Sequence, residues 1–458
     1  MKKVYLILPP FPFVRKEKIL PLNLGYLASV IPMEYRLEIF DANTLEFAPS
    51  QFLKSIAALD AEALLFTAHT YQIPFVAKAV KIAKAGNPRL LTVLGGPHAT
   101  ALPLQTLTDH PQLDAIVIGE GEYTLPALLH AWRNNERWDH IAGLAFQDKN
   151  GPHLTATGAI IDNLDALPLP AWELFDIKRY TCFYPLTSTS IPILTARGCP
   201  YQCRFCNRAL GNRMRYRTLE SVNGEIDRAL SLSIFNLEFS DETFTLRKDR
   251  ALAVCEHLID VDPAQRVRWV TQTRVDLLDE EIALAMRRSG CTAINFGLES
   301  GSERVLSSHC KGITLPQMHQ AVALCRRHRI KVLANVILGS PQETAATLRE
   351  TKQLIFSLRP DRLAVNQLIA FPGTDYYRAA KAAEEGLCLL HEDWSRYHPQ
   401  FKTNLRLPFV SQRRLSWTQF TLYFRFYLFH AEKGTLRSLL GWRALVGYFG
   451  NMLKRLIE

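Results

Sequence analysis

Short apolar runs and helix-period stretches alternate along this chain in two separate blocks. In the first block the runs cover residues 3–8, 37–40, 64–67, 90–94 and 115–118. They are too short for helices and too uniformly apolar for a sheet with one wet face, so they predict strands buried on both sides. Helical patterns at 24–30, 74–85 and 124–132 lie between them. Such alternation predicts an α/β fold with a doubly wound parallel sheet, whose ligands bind at the carboxyl ends of the strands. A β-rich segment follows at 140–161, with a turn at Asp148-Lys149-Asn150-Gly151, and then the stretch Leu167-Pro168-Leu169-Pro170, whose prolines favour an extended path. The alternation then restarts. Strand-like runs at 191–195, 236–239, 268–273, 293–298, 331–338 and 362–367 are separated by helical patterns at 221–231, 250–260, 279–289, 315–327 and 343–358. Six such units predict a partial (β/α)6 barrel of the TIM type, with its chemistry at the carboxyl ends of the strands. Two further helical patterns, at 415–431 and 441–457, predict a C-terminal helical cap. The expected division is 1–138 for the first α/β domain, 139–185 for a linker, 186–385 for the partial barrel and 386–458 for a basic, aromatic-rich helical region.

A length of 458 residues supports more than one core, and 48% hydrophobic with 21% charged residues is ordinary for a soluble globular protein. No apolar run approaches a membrane span. The opening Met1-Lys2-Lys3 superficially resembles a signal peptide, but Pro9 and Pro10 break its apolar stretch and no small-residue cleavage site follows. A cytoplasmic location is expected. The net charge of +10 is uneven: residues 402–458 carry ten Lys or Arg against Glu432 and Glu458, which leaves the first 401 residues near neutral. Anionic partners therefore belong to the tail, whose aromatics (Trp417, Phe420, Tyr423, Phe424 among others) suit peripheral contact with lipid or a large apolar or anionic substrate. Nucleic acid fits poorly with so much aliphatic bulk.

The candidate chemistry centres on Cys199-Pro200-Tyr201-Gln202-Cys203-Arg204-Phe205-Cys206, directly after the first run of the second block. Three thiolates on one loop can hold three corners of a [4Fe–4S] cluster and leave one iron open. A zinc site would want a fourth ligand nearby, and no histidine lies between His153 and His257. Nine cysteines, an odd count, do not suit a disulfide framework. The other six (Cys182, Cys255, Cys291, Cys310, Cys325, Cys388) are scattered, and are expected as buried small hydrophobes. Polar residues close the other predicted strands: Ser240-Asp241-Glu242, Thr273-Arg274, Glu299-Ser300 and Gly339-Ser340. In the first block the strand ends read Gly95-Gly96-Pro97-His98 and Gly119-Glu120-Gly121-Glu122. Paired glycines there suit either a tight turn or close approach by a ligand.

The C-x3-C-x2-C loop with Phe205 before its last cysteine resembles the signature of the radical S-adenosylmethionine (SAM) enzymes. The first block, with Pro21-Leu22-Asn23-Leu24-Gly25-Tyr26, GGPHAT at 95–100 and GEGE at 119–122, resembles the cobalamin-binding domain of their cobalamin-dependent members. That resemblance implies a [4Fe–4S] cluster on Cys199, Cys203 and Cys206. It implies SAM near Phe205, Ser240, Asp241, Glu242, Glu299 and Ser300, with Arg274 added as a carboxylate partner. Cobalamin would lie along Thr67, Gly95, Gly96, Pro97, Gly119 and Glu120. The D-x-H-x-x-G motif that supplies a cobalt ligand in many cobalamin proteins is absent. His69 and His98 are alternative cobalt neighbours, or ordinary hydrogen-bonding loop residues. Gln342 stands where the family has glycine.

The implied activity is C-methylation of an unactivated carbon. One SAM methylates cobalamin, a second yields the 5′-deoxyadenosyl radical, and a donor such as flavodoxin or ferredoxin supplies electrons. The alternatives are a non-methylating reaction, such as ring closure on a porphyrin-like substrate, and a non-enzymatic cobalamin or iron–sulfur regulator.

Overall fold

The computed structural model describes residues 2–12, 17–44, 49–182, 185–186, 188–398 and 402–432. Along β1 (Lys2–Leu8) side chains alternate between two cores, Val4 and Leu6 facing one, Tyr5 and Ile7 the other. Helix α1 (Leu22–Val30), β2 (Tyr35–Asp41), α2 (Pro49–Ala57), β3 (Ala63–Thr67), α3 (Ile73–Gly86), β4 (Leu91–Gly95), α4 (Pro97–Ala101), α5 (Pro103–Asp109), β5 (Ala115–Val117) and α6 (Gly121–Arg133) follow. The five strands are parallel, in the order β2-β1-β3-β4-β5. α1 and α6 cover one face through Leu24, Leu125 and Leu128. α2 and α3 cover the other through Phe52, Ile56, Val76 and Val80. This is the expected doubly wound sheet, and its strand order reverses between β1 and β3, where such sheets open a ligand crevice.

The sheet continues past the boundary expected at residue 138. β6 (Leu144–Asp148) pairs antiparallel with β5, and β7 (Gly151–Leu154) pairs antiparallel with β6. The turn between them is the expected one, with Asn150 N donating to Asp148 Oδ1. The buried Leu144, Ala145 and Phe146 give β6 reason to join the sheet.

The second sheet begins at β8 (Ile191–Ile193). Next comes a two-stranded ribbon, β9 (Ala196–Arg197) with β10 (Arg215–Tyr216). Then come α7 (Leu219–Ser231), β11 (Asn236–Phe239), α8 (Lys248–Val261), β12 (Arg268–Thr273), α9 (Glu280–Arg288), β13 (Cys291–Glu299), α10 (Glu303–Ser308), α11 (Leu315–Arg327), β14 (Lys331–Leu338), α12 (Ala345–Leu358), β15 (Arg362–Gln367) and α13 (Asp375–Lys381). The six strands are parallel and neighbour one another in sequence order from β8 to β15. Side-chain caps start the helices where the pattern placed them. Asp279 accepts from Ile282 N, and Thr314 and Thr344 form capping boxes. Cys182 and Leu186, from the segment before β8, join Val270, Ala293 and Leu333 in a small separate core.

Helix α14 (Gln412–Glu432) covers β15. Leu415, Leu422, Tyr423 and Phe426 are buried there, Tyr423 Oη accepts from Val365 N, and Gln419 Nε2 donates to Val365 O. These bonds satisfy an edge strand that would otherwise offer itself for pairing. The cap expected from the sequence is thus present on one face, while Trp417, Phe424 and Leu428 are exposed on another. The second tail helix, at 441–457, lies outside the described residues. Among the described residues no helix is long and apolar enough to cross a membrane. Cys182, Cys255, Cys291 and Cys325 are buried as expected, but Cys310 is exposed and Cys388 half-buried.

Candidate functional site

The carboxyl ends of the first sheet's strands open into a cavity of about 1080 Å3. Thr67, Gly95, Gly96, Pro97, Gly119 and Glu120 all line it, with Asp41, Asn43 and His69. Its opposite wall comes from the second half of the chain: Leu194 and Ser240 just past the ends of β8 and β11, Arg197 of the β9–β10 ribbon, and Ala209 and Leu210 of the cysteine loop. Gly96 has φ +101°, and a Cβ there would stand 2.7 Å from Ala68 O and 3.0 Å from Ala68 N, so the turn after β4 excludes any side chain. Thr67 Oγ1 accepts from Asn23 Nδ2 at 3.0 Å. His98 is not on the cavity wall. It is buried, 3.3 Å from Thr70 Oγ1 and edge-on to Trp394, and burial pushes its pKa down to about 4.

The cysteine loop fills the gap between the strands of the β9–β10 ribbon. Gly198 begins it at φ +94°, where a Cβ would meet Arg213 O at 2.3 Å, so only glycine closes this neck. Cys203 is buried and Cys199 half-buried, while Cys206 is exposed. Desolvation, then the nearby Cys203 and Cys199 thiols and Glu242, push the Cys206 thiol up to about 11. Thiols gathered this way resist ionising alone, and bound iron reverses that balance. Among the described residues no three acidic, His or Cys side chains converge closely enough for a single ion. A cubane sets each thiolate on a different iron and so spreads them.

Around this loop the strand-end residues divide into two groups. Glu242 has a buried Oε2 with no partner, and burial lifts its pKa to about 7. Glu299, at φ +61°, holds Lys311 Nζ at 2.8 Å, with both side chains buried. Lys311 also faces the Phe205 ring at 5.8 Å and the Cys203 thiol electrostatically. Phe205 stands edge-on to His309, whose Nδ1 meets Tyr376 Oη at 2.9 Å. Ser240 is half-buried, with its hydroxyl 3.4 Å from Glu238.

The remaining four face inward or sideways, against expectation. Asp241 is buried and accepts from Thr195 N, Thr195 Oγ1 and Ala196 N, which braces the strand leading into the loop. Arg274 grips Asp276 with Nε and Nη2, donates to Lys311 O and Gly312 O, and stacks on Tyr201 at 3.7 Å. It supports the loop and has little left for a carboxylate ligand. Ser300 bonds Thr351 Oγ1 and accepts from Ser302 N in the core. Glu120 lines the cavity, but its oxygens accept from Arg197 Nη1 (2.9 Å), Arg215 Nη1 (2.6 Å) and Ile161 N (3.0 Å). These pairs hold its carboxyl below the usual range against the opposing effect of burial. Removing one partner would strand a buried charge at a cost of about 3–5 kcal/mol. Arg197 and Arg215 escaped the sequence reading, whereas Lys311-Gly312 stands out there only as a landmark of the resembling family, without a role. The signal for Arg197 was its place two residues before Cys199, and the role of Lys311 emerges when the fold sets it beside Glu299.

The residues fit the groups that the resemblance implies. Three thiols share one loop; Glu242, which carries a buried, unpartnered carboxylate oxygen, lies close to Cys206, and a side-chain-free turn lines the cavity. Comparison with known proteins agrees with the architecture. The B12 binding domain family matches residues 13–129, and the Radical SAM superfamily matches residues 193–355. An uncharacterized methyltransferase of Pyrococcus horikoshii is 31% identical over 405 residues, covering 86% of each chain. The anaerobic magnesium-protoporphyrin IX monomethyl ester cyclase of Cereibacter sphaeroides is 29% identical, over 78% of this chain and 58% of its own length. The radical S-adenosylmethionine methyltransferase TsrM of Kitasatospora setae, solved with cobalamin and a [4Fe-4S] cluster bound, superposes with a TM-score of 0.68 at 20% identity, over 86% of this chain and 78% of that one. With a B12-binding sheet joined to a radical SAM barrel, and a relative matched over nearly its whole length, this chain belongs to the cobalamin-dependent radical SAM enzymes.

Proposed function

We propose that the protein is a C-methyltransferase acting on an unactivated carbon, with a [4Fe–4S] cluster, SAM and cobalamin as cofactors. The observation that carries this reading is the single cavity shared by the glycine turns of the first sheet and the flank of the cysteine loop. Cys199, Cys203 and Cys206 bind three irons. Glu242 takes the SAM ammonium on its unpartnered Oε2, with Ser240 at the cavity side. Phe205, and Glu299 held by Lys311, border the remainder of the SAM site. Thr67, Gly95, Gly96, Pro97 and Gly119 cradle cobalamin. When bound, the cluster supplies the electron that cleaves SAM, and cobalamin carries the methyl group. The protein holds these groups close together in a space mostly walled by apolar side chains, where positioning substitutes for chance encounter. A low-potential donor of the flavodoxin or ferredoxin class supplies electrons. Exposed Trp417, Phe424 and Leu428, in a C-terminal region whose sequence is basic, support contact with anionic lipid or a large apolar substrate.

The test is anaerobic. After cluster reconstitution, incubation with hydroxocobalamin and desalting, near-stoichiometric cobalamin is expected per chain. Absence of retention alongside an intact cluster would refute the reading. Resemblance to the porphyrin-ester cyclases favours ring closure as the second reading. Product mass separates the two, since methylation adds a CH2 unit and ring closure does not. Glu242→Gln is expected to weaken SAM binding about 10- to 100-fold, the loss of one charge-assisted hydrogen bond. Equilibrium dialysis with labelled SAM reads this directly, and unchanged affinity would remove Glu242 from the site.

A further inference from the structure

We propose that Glu120 is a positioning residue that sets the cysteine loop at a fixed distance from the cavity, so that groups bound on the two sheets meet. It sits at the carboxyl end of β5, on the cavity wall. Its two carboxylate oxygens reach different strands of the β9–β10 ribbon, Oε1 to Arg197 and Oε2 to Arg215. Those arginines are cross-strand partners. The chain between them, residues 198–214, contains all three cysteines of the motif. One carboxylate of the first sheet therefore clamps both ends of that loop.

Neighbouring bonds make the clamp directional. Arg197 Nη2 donates to Glu122 at 2.7 Å, and its guanidinium lies 4.8 Å from the Tyr26 ring of α1. Arg215 Nη1 also donates to Ile161 O, and its Nη2 to Leu210 O within the loop itself. The four charged side chains are each at most 8% exposed, so water competes little for these bonds. The ribbon has two residues per strand, too little to hold its own shape. The spacing between the ribbon and the cavity is thus set from outside, by the first sheet, while Asp241 braces the strand that leads into the loop. Elsewhere the loop is tied to the barrel through Arg204 N to His309 O and the Tyr201–Arg274 stack, which hold its far side.

The test compares wild type with Glu120→Gln in the full chain. The first readout uses the protein without cofactors. In hydrogen–deuterium exchange, amides of 196–216 are expected to exchange at least about ten-fold faster in the variant, together with those of 119–122, while the strands from 236 to 367 are unchanged. Unchanged exchange in 196–216 overturns the proposal. The second readout rests on the methyltransferase reading. With the cluster reconstituted and reduced cobalamin bound, transfer of the SAM methyl to cobalamin leaves S-adenosylhomocysteine. Its yield per bound cobalamin in one turnover is expected to fall at least about ten-fold, while bound iron and 5′-deoxyadenosine formation stay within about two-fold of wild type. S-adenosylhomocysteine formed at the wild-type rate, or falling in equal measure with 5′-deoxyadenosine, refutes positioning. Arg215→Lys keeps the charge and loses the fork, so it gives the same pair of readouts should Glu120→Gln not fold. A wild type that binds no cobalamin would sink the methyltransferase reading, while the exchange experiment still decides the clamp.

Discussion

Cys203→Ala is expected to form no measurable 5′-deoxyadenosine from SAM. The three thiols come from one loop of eight residues, and among the described residues no three His, Cys, Asp or Glu side chains converge as an alternative single-ion site. Cys203 is the buried member of the three, and Lys311 is the strongest charge acting on it, whereas at Cys206 the other two thiols and Glu242 act more strongly than Lys311. Alanine leaves a cluster with two protein ligands, which is expected to lower SAM cleavage by about 1000-fold or more, equivalent to over 4 kcal/mol of barrel-held chemistry. Iron per chain and the broad absorbance of the reconstituted cluster are expected to fall with it. Cys203→Ser, which keeps the size and loses the sulfur, should behave the same way. A variant of either kind that still releases 5′-deoxyadenosine at a tenth of the wild-type rate would refute the ligand assignment. Cys291→Ala serves as the contrast. Cys291 is buried at the start of β13, far in sequence from the loop, and its loss should affect folding stability rather than iron content.

How far this site was legible follows from which way side chains point. All six barrel strands fall within two residues of their apolar runs, since a strand buried against helices needs an unbroken apolar face. β6 and β7 were read as a linker because their turn and polarity look the same whether or not a sheet edge is waiting beside them. The cysteine loop stands out in the sequence through its spacing and its place directly after an apolar run. Asp241, Ser300, Arg274 and Glu120 were correctly placed at strand ends, yet their polar atoms are engaged by Thr195, Thr351, Asp276 and the Arg197–Arg215 pair. Sequence puts a polar group near a site; only the fold decides whether it faces the ligand or braces the wall. Glu242 differs because one of its oxygens is left without a partner. The sequence offers His98 as a cobalt neighbour or as an ordinary hydrogen-bonding loop residue, and the structure matches the second, since the short helix that starts there turns its ring toward Thr70 and Trp394.

Gly96→Ala is expected to abolish cobalamin retention while leaving the cluster half of the protein active. At φ +101° and ψ 179° the residue occupies a region that is essentially closed to side chains. The new Cβ would also press on the backbone of Ala68, at 2.7 Å from its oxygen and 3.0 Å from its nitrogen. Backbone cannot swing aside as a long side chain can, so the turn after β4 must open and the loop after β3 must retreat. Both line the cavity. The strain costs about 1–3 kcal/mol before the displaced backbone is counted, and the displacement spoils the shape of the site. Retained cobalamin after desalting is expected to drop at least about 100-fold, a loss of some 2.7 kcal/mol in binding. SAM cleavage to 5′-deoxyadenosine, which depends on the second sheet, should stay near wild type. Gly119→Ala gives the control. That glycine lies on the same wall at φ +75°, but no protein atom stands within 4 Å of its would-be Cβ, so the backbone need not move, the local strain is about 1 kcal/mol, and the loss of cobalamin should be smaller than in Gly96→Ala. Equal loss in the two variants would mean that the wall is fragile throughout. Full retention in Gly96→Ala would mean that cobalamin does not sit against this turn at all.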